Sequence, residues 1–158
     1  FYTAAFSTQR SYSRPMVEII DETSRYAAIR RLRTILNTFL REQKILRTVT
    51  LVLCDDATIH KMNLADRGED YATDVLSYPT MEPTDLGMPE IDHLGDVFIS
   101  LETAEKQALT HNHNLESEVL TLAAHGITHL RGFDHRAEDE WTTFRAAQTR
   151  VLELRAKR

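Results

Sequence analysis

HGITHLRGFDH, from His125 to His135, decides how this chain is read. It closes a run of helical periodicity, LESEVLTLAAHGITHL, with apolar positions at Leu115, Val119, Leu122 and Ile127. On a helix His125 and His129 project from one face, one turn apart. Gly132 follows as a terminator that lets the chain turn back. His135 then lies where it can swing in as a third imidazole. Three imidazoles with an open fourth position are the arrangement of a catalytic zinc site, whereas structural sites are more often closed by cysteines. The competing reading is three histidines held by ordinary hydrogen bonds; spacing, register and terminating glycine together favour the metal.

The spacing H-x-x-x-H-x-x-G-x-x-H is shared with the metzincin proteases. Two features argue against their chemistry. Gly126 stands where a protease carries its general-base glutamate. No methionine follows Met88, so the methionine turn beneath a protease zinc is missing.

A chain of 158 residues suits one domain, able to bury roughly two-thirds of its unfolded surface. Charged residues make up 27% of it, and no window approaches the ~20 apolar residues of a membrane span. Cys54 is the only cysteine, which excludes an internal disulfide. At the end of an apolar run it reads as a small core residue rather than a nucleophile. A net charge of −5 argues against indiscriminate binding to nucleic acid. The charge is uneven, however: Arg25, Arg30, Arg31, Arg33, Arg41, Lys44 and Arg47 crowd one segment, and the balance from Asp55 to Asp96 is acidic. The basic stripe is either a solvated helix face or a local dock for a polyanion.

Residues 1–15, FYTAAFSTQRSYSRP, hold Arg10 and Arg14, several serines and tyrosines, and no acid. That composition predicts an N-terminal arm outside the domain, and fits a mitochondrial transit remnant. A tag or an ordinary extended arm reads almost as well, with a bacterial cytoplasmic protein as the alternative location. The domain itself is expected over residues 16–158.

Met16 to Ile20 reads as a first strand, followed by an amphipathic helix from Ser24 to about Arg41. TVTLVLCD, Thr48 to Asp55, reads as a second strand. Asp55, Asp56 and Thr58 are N-cap candidates for a short helix through Ile59, Met62 and Leu64. In the polar loop from Ala65 to Pro79, Asp74 to Ser77 suggests a short strand ended by Pro79. TMEPTDLGMPEIDH reads as an exposed loop, LGDVFIS (Leu94 to Ser100) as a strand, and Leu101 to Leu109 as a helix. His111 and His113 read as surface residues in a polar connection. Trp141, Phe144, Ala147, Val151 and Leu154 mark a C-terminal amphipathic helix. The mixture predicts a single α+β domain, with a small mixed sheet of about four strands, several helices, and a metal site at the end of a central helix.

Three segments together resemble the YbeY family of ribosomal RNA maturation factors. HGITHLRGFDH is similar to that family's H-G-x-L-H-L-x-G-Y-D-H. RGEDYATDVLSYP is similar to R-G-x-D-x-x-T-[DN]-V-L-S-F-P, and LGDVFIS to L-G-D-I-x-I-S. They stand in family order and spacing, and the likeness covers roughly residues 16 to 155. Thr128, Phe133 and Tyr78 depart from the pattern, as does Asp66, where an aromatic commonly precedes the arginine.

The resemblance implies a single-strand-specific, metal-dependent endoribonuclease in ribosomal RNA maturation and small-subunit quality control. It implies His125, His129 and His135 as ligands of one zinc-like ion, with Arg67 and His125 as catalytic residues. Implied partners are a ribosomal RNA precursor and the small ribosomal subunit with its proteins or assembly GTPases, and no membrane. Each role has a physical reason. A three-imidazole zinc lowers the pKa of its water to ~7, although imidazoles also suit nickel and other transition metals. A guanidinium such as Arg67 can meet the charge that grows on phosphodiester oxygens. Asp134, beside His135, is a candidate to orient an imidazole, and equally a turn or capping residue. Arg30 and Arg33, with Arg67, are candidates for RNA contact. The rival readings are a non-catalytic ribosome-assembly factor with a structural metal, and a metal hydrolase of another substrate.

Overall fold

The apolar, β-branched runs VEIID, TVTLVLC, VLSYP and HLGDVFIS become β1 (Val17–Asp21), β2 (Thr48–Cys54), β3 (Val75–Pro79) and β4 (His93–Ser100). The computed structural model describes residues 16–81, 87 and 92–157, so the N-terminal arm and most of the 80–93 loop lie outside the described residues. The strands form one sheet in the order β1-β2-β4-β3. β1, β2 and β4 run parallel, and β3 pairs antiparallel with β4. The helices are α1 (Ile29–Glu42), α2 (Asp56–Arg67), α3 (Leu101–Thr110), α4 (Leu115–Leu130) and α5 (Glu138–Ala156). This is the expected α+β domain with a four-stranded mixed sheet.

Side chains alternate across the sheet, and the register puts Ile19, Leu51 and Val97 on one face. That face packs with Leu32, Ile35, Leu36 and Phe39 of α1 and Val119, Leu120, Ala123 and Ile127 of α4 in one core. Each fully buried leucine here contributes about 1.5–3 kcal/mol relative to exposure. On the opposite face Ile59 of α2 joins Cys54 and Leu76 in a smaller cluster with Phe98 and Met62. Cys54 is fully buried, and its thiol donates to the Ile99 carbonyl at 3.5 Å, as a core residue should.

α4 is the central helix, apolar around most of its circumference, with Leu120, Ala123 and Ala124 wholly buried. Its approach to the sheet is set by Gly126. A Cβ there would stand 2.6 Å from Val97 Cγ1 and 3.1 Å from Ser77 Oγ, so only glycine fits. The Ser77 hydroxyl donates to the Gly126 carbonyl at 3.1 Å and fastens β3 to the helix. The residue that is a glutamate in a protease has no room for a side chain in this fold.

Several boundaries differ from the sequence expectation. α1 begins at Ile29 rather than Ser24, because Asp21 organises the preceding residues into a turn. Its carboxylate accepts from the Thr23 backbone N–H (2.9 Å) and the Tyr26 backbone N–H (3.0 Å), and Ser24 sits at φ 55°. α2 extends to Arg67, into the stretch read as loop, and ends at Gly68 with φ 72°. Asp55 is its N-cap, accepting from Thr58 N–H at 2.8 Å.

Candidate metal centre

The last turn of α4 carries His125 and His129, and the loop beyond it returns His135. The helix ends at Leu130, and Gly132 at φ 94° donates its N–H to the His129 carbonyl at 2.9 Å. The terminator therefore acts where the sequence placed it. The Nε2 atoms of His125 and His129 are 3.2 Å apart, and one ring nitrogen from each of the three histidines lies within 4.8 Å of the others. Two ligands on a tetrahedral ion at 2.0–2.1 Å stand about 3.4 Å apart, so the pair is close to that spacing.

Two of the rings have a partner at the far nitrogen, and the third is held by stacking. His129 Nδ1 lies 3.1 Å from the Phe133 carbonyl, which can only accept, so Nδ1 carries the proton and Nε2 presents its lone pair. His125 Nδ1 faces the Gln148 side-chain amide at 3.3 Å. The nitrogen of that amide, Nε2, is the atom that faces Nδ1; a 180° flip of the amide would bring its oxygen there to accept the Nδ1 proton and leave His125 Nε2 its lone pair. His135 stacks on Trp141 with centroids 4.5 Å apart and planes 21° apart. Phe144, fully buried, packs against His125 and His129, both at 4.7 Å between centroids. Burial, helped by the facing His129 and His135, pushes the His125 imidazole down to about 4. Burial also pushes His129 down. Both are therefore neutral near pH 7, the form that binds metal. The three histidines fit an ion and could hold one.

Arg67 ends α2 on the opposite wall. Its Nη2 donates to the Ser77 carbonyl of β3 at 2.8 Å, and its guanidinium lies 5.4 Å from the Tyr78 ring centroid. Arg67, the three histidines, Asp66, Glu69, Tyr71, Asp74, Ser77 and Tyr78 line one open cleft of about 1210 Å³. Among the lining side chains Arg67 is the sole permanent cation, against three carboxylates.

The other sequence candidates stand elsewhere. Asp134 bonds no imidazole: it accepts from the His135 backbone N–H at 2.8 Å and pairs with Arg136, so it shapes the loop, the turn role. Arg33 lines a separate depression with Glu18, Thr50 and His93, beside β1 at the sheet edge opposite β3. Arg30 is exposed on the same helix and is not among the residues lining the histidine cleft. Arg31 is bound to Glu116, which also takes Arg155, and Arg25 pairs with Glu105. Part of the basic stripe is thus spent on ion pairs within the fold. His111 and His113, read as plain surface residues, both bond the buried Glu118. Sequence reasoning missed Trp141, Phe144 and Gln148 as site residues; the two aromatics read as an ordinary apolar helix stripe, and the glutamine carried no signal.

Residues 17–155 match the family model described as Endoribonuclease YbeY. The chain belongs to the YbeY family. An endoribonuclease YbeY of Thermus thermophilus is 43% identical over 141 residues, covering 88% of this chain and 100% of that one. One from Deinococcus radiodurans is 55% identical over 89 residues, covering 56% of each. The fold is similar to the solution structure of TM1509 from Thermotoga maritima, with a TM-score of 0.62 at 26% identity, over 90% of this chain and 93% of that one. The three motifs first read as YbeY-like all lie inside the matched span, and the two that carry Arg67 and the histidines meet at the cleft.

Proposed function

We propose that this chain is a metal-dependent endoribonuclease that cuts single-stranded RNA during ribosomal RNA maturation, with one zinc-like ion held by His125, His129 and His135. The observation that carries this reading is the convergence of three imidazoles, two of them (His125 and His129) kept neutral by burial and with the far nitrogen beside a carbonyl or an amide, opposite a lone arginine in one open cleft. When bound, the ion supplies Lewis acidity for phosphodiester hydrolysis. The chain supplies the rest. His125, packed against Phe144, serves both as ligand and as part of the catalytic wall. Arg67 is anchored through Nη2 to the β3 backbone, which leaves its other donors for non-bridging phosphate oxygens. Held on a helix end and a strand, it costs little reorganisation as charge develops. Cleft carboxylates Asp66, Glu69 and Asp74 repel a polyanion, so substrate binding as well as cleavage depends on the ion's charge.

The test is cleavage of labelled single-stranded and duplex RNA by the wild-type protein and Arg67→Ala, with and without chelator. Chelator-sensitive cutting of the single strand alone, lost in Arg67→Ala, supports the reading. If Arg67→Ala leaves both RNA cleavage and ribosomal RNA maturation intact while His129→Ala unfolds the protein, the chain is an assembly factor with a structural metal. The proposed partners are precursor ribosomal RNA and the small subunit with its proteins or assembly GTPases. No helix among the described residues is long and apolar enough to cross a membrane. A mitochondrial matrix location rests on the acid-free residues 1–15, while the bacterial relatives favour a bacterial cytoplasm. Fusing the first residues to a fluorescent protein in eukaryotic cells separates the two.

A further inference from the structure

Glu118 sits in the first turn of α4 with its side chain 2% exposed, and no lysine or arginine pairs with it among the described residues. A buried carboxylate normally has a cation or a metal as partner. Here it has two imidazoles. His111 Nδ1 and His113 Nε2 each lie 2.7 Å from the same oxygen, Oε1. The turn between α3 and α4 brings them there: Asn112 adopts φ 55°, and the His111 and His113 N–H groups close onto the Gln107 and Ala108 carbonyls. The rings stand perpendicular at 86°, with centroids 5.7 Å apart, and all three donor atoms lie within 4.8 Å of one another. His111 is 54% exposed and His113 25%, so the cluster opens to solvent on the side away from Glu118.

We propose that His111, His113 and Glu118 form a second divalent transition-metal site, separate from the three-histidine cleft at the other end of α4. Two imidazoles and a carboxylate with open outer positions suit zinc, nickel or copper. Seating an ion requires the donor separations to grow from 2.7 Å to about 3.4 Å. The histidines lie in a turn and just before a helix start, where that movement meets little packing. The ring protons now directed at Glu118 transfer to the far nitrogens, His111 Nε2 and His113 Nδ1, which make no hydrogen bond among the described residues. The exchange is tautomeric and needs no other reactant. The ion would neutralise Glu118 and clip the α3–α4 turn to the helix that carries His125 and His129.

The experiment is a Zn²⁺ titration of metal-free protein against a chromophoric chelator, comparing the full-length wild type with His111→Ala/His113→Ala. Because the double variant leaves the buried Glu118 without its partners, Glu118→Gln, which keeps a polar side chain beside both imidazoles, is measured alongside it and should lose the same equivalent of zinc with the fold retained by circular dichroism. The wild type should take up one more equivalent of zinc than the double variant, while RNA cleavage stays unchanged. His129→Ala should retain that additional equivalent, which separates this site from the cleft. Equal zinc uptake by wild type and double variant would overturn the proposal and reduce the cluster to a hydrogen-bonded helix junction.

Discussion

The Tyr78 hydroxyl donates to Asp66 Oδ2 at 2.7 Å and, with its ring, frames Arg67. Both residues depart from the family's pattern, Asp66 on α2 and Tyr78 on β3. Taken singly, Asp66 looks like a disturbance next to the arginine. In the structure it joins the residue that supports the guanidinium. Burial and then Asp66 push the Tyr78 phenol up to about 12, so it remains a donor across the working pH range. Removing that hydroxyl in Tyr78→Phe should cost about 0.5–1.5 kcal/mol in chemical denaturation. Cleavage should fall only severalfold, because the ring stays beneath Arg67. A variant as stable and as active as wild type would show that the pair does no positioning.

Arg67→Ala should lower single-turnover cleavage by about 10²–10³-fold, as expected for a lost transition-state donor. Binding of a non-cleavable single strand should change far less. Arg67→Lys should restore little, since an ammonium cannot both bond Ser77 and meet phosphate through a fork. Equal losses in binding and turnover would make Arg67 a mere docking residue.

Gly126→Ala should destabilise the fold by about 1–3 kcal/mol, because its methyl meets Val97 and Ser77. A matching drop in urea midpoint, with the denaturant slope retained, is the expected reading. A neutral substitution would mean that α4 can lift off the sheet without loss.

The central helix, the four strands and the convergence of three histidines were legible because each follows a local period or spacing. What stayed hidden depends on contacts distant in sequence. Gln148 reaches His125 from 23 residues away, and Glu118 gathers His111 and His113 through a turn whose left-handed residue is asparagine. The start of α1 was misplaced because Asp21 competes for the backbone that a periodicity count assigns to helix. Trp141 and Phe144 were legible as part of an apolar helix stripe but not as the support of a site, since a core stripe and an imidazole support share one pattern.

Protonation gives a signed test. An ordinary histidine titrates at 6.5, whereas His125 is held at about 4 by burial and its two neighbouring imidazoles. His129 shifts in the same direction. Below the ordinary value the unfolded chain binds more protons than the folded one, so metal-free protein should lose stability as pH falls from 6.5 towards 4. Above that window these groups add no pH dependence. Urea midpoints measured across it should fall, and should flatten in His125→Asn/His129→Asn. A wild-type midpoint independent of pH there would contradict the assigned burial.

Arg33 lines a depression beside the sheet edge opposite β3, and Arg30, exposed on the same helix, is not among the residues that line the histidine cleft. Arg30→Ala/Arg33→Ala should therefore leave cleavage unchanged and the salt dependence of single-strand binding nearly so. Each phosphate contact removed would lower the slope by ~0.7 log units per tenfold salt. A fall of that size would extend the RNA path round to α1.

The most direct test follows metal and chemistry in one titration. Trp141 is the sole tryptophan and stacks on His135 at 4.5 Å, so its fluorescence reports occupation of the cleft. Metal-free protein should not cut single-stranded RNA, and cleavage should appear in step with the Trp141 change as zinc is added. Cleavage that persists under chelator, or a saturated Trp141 change with no cleavage, would contradict the assignment of His125, His129 and His135 as the metal centre of a ribonuclease.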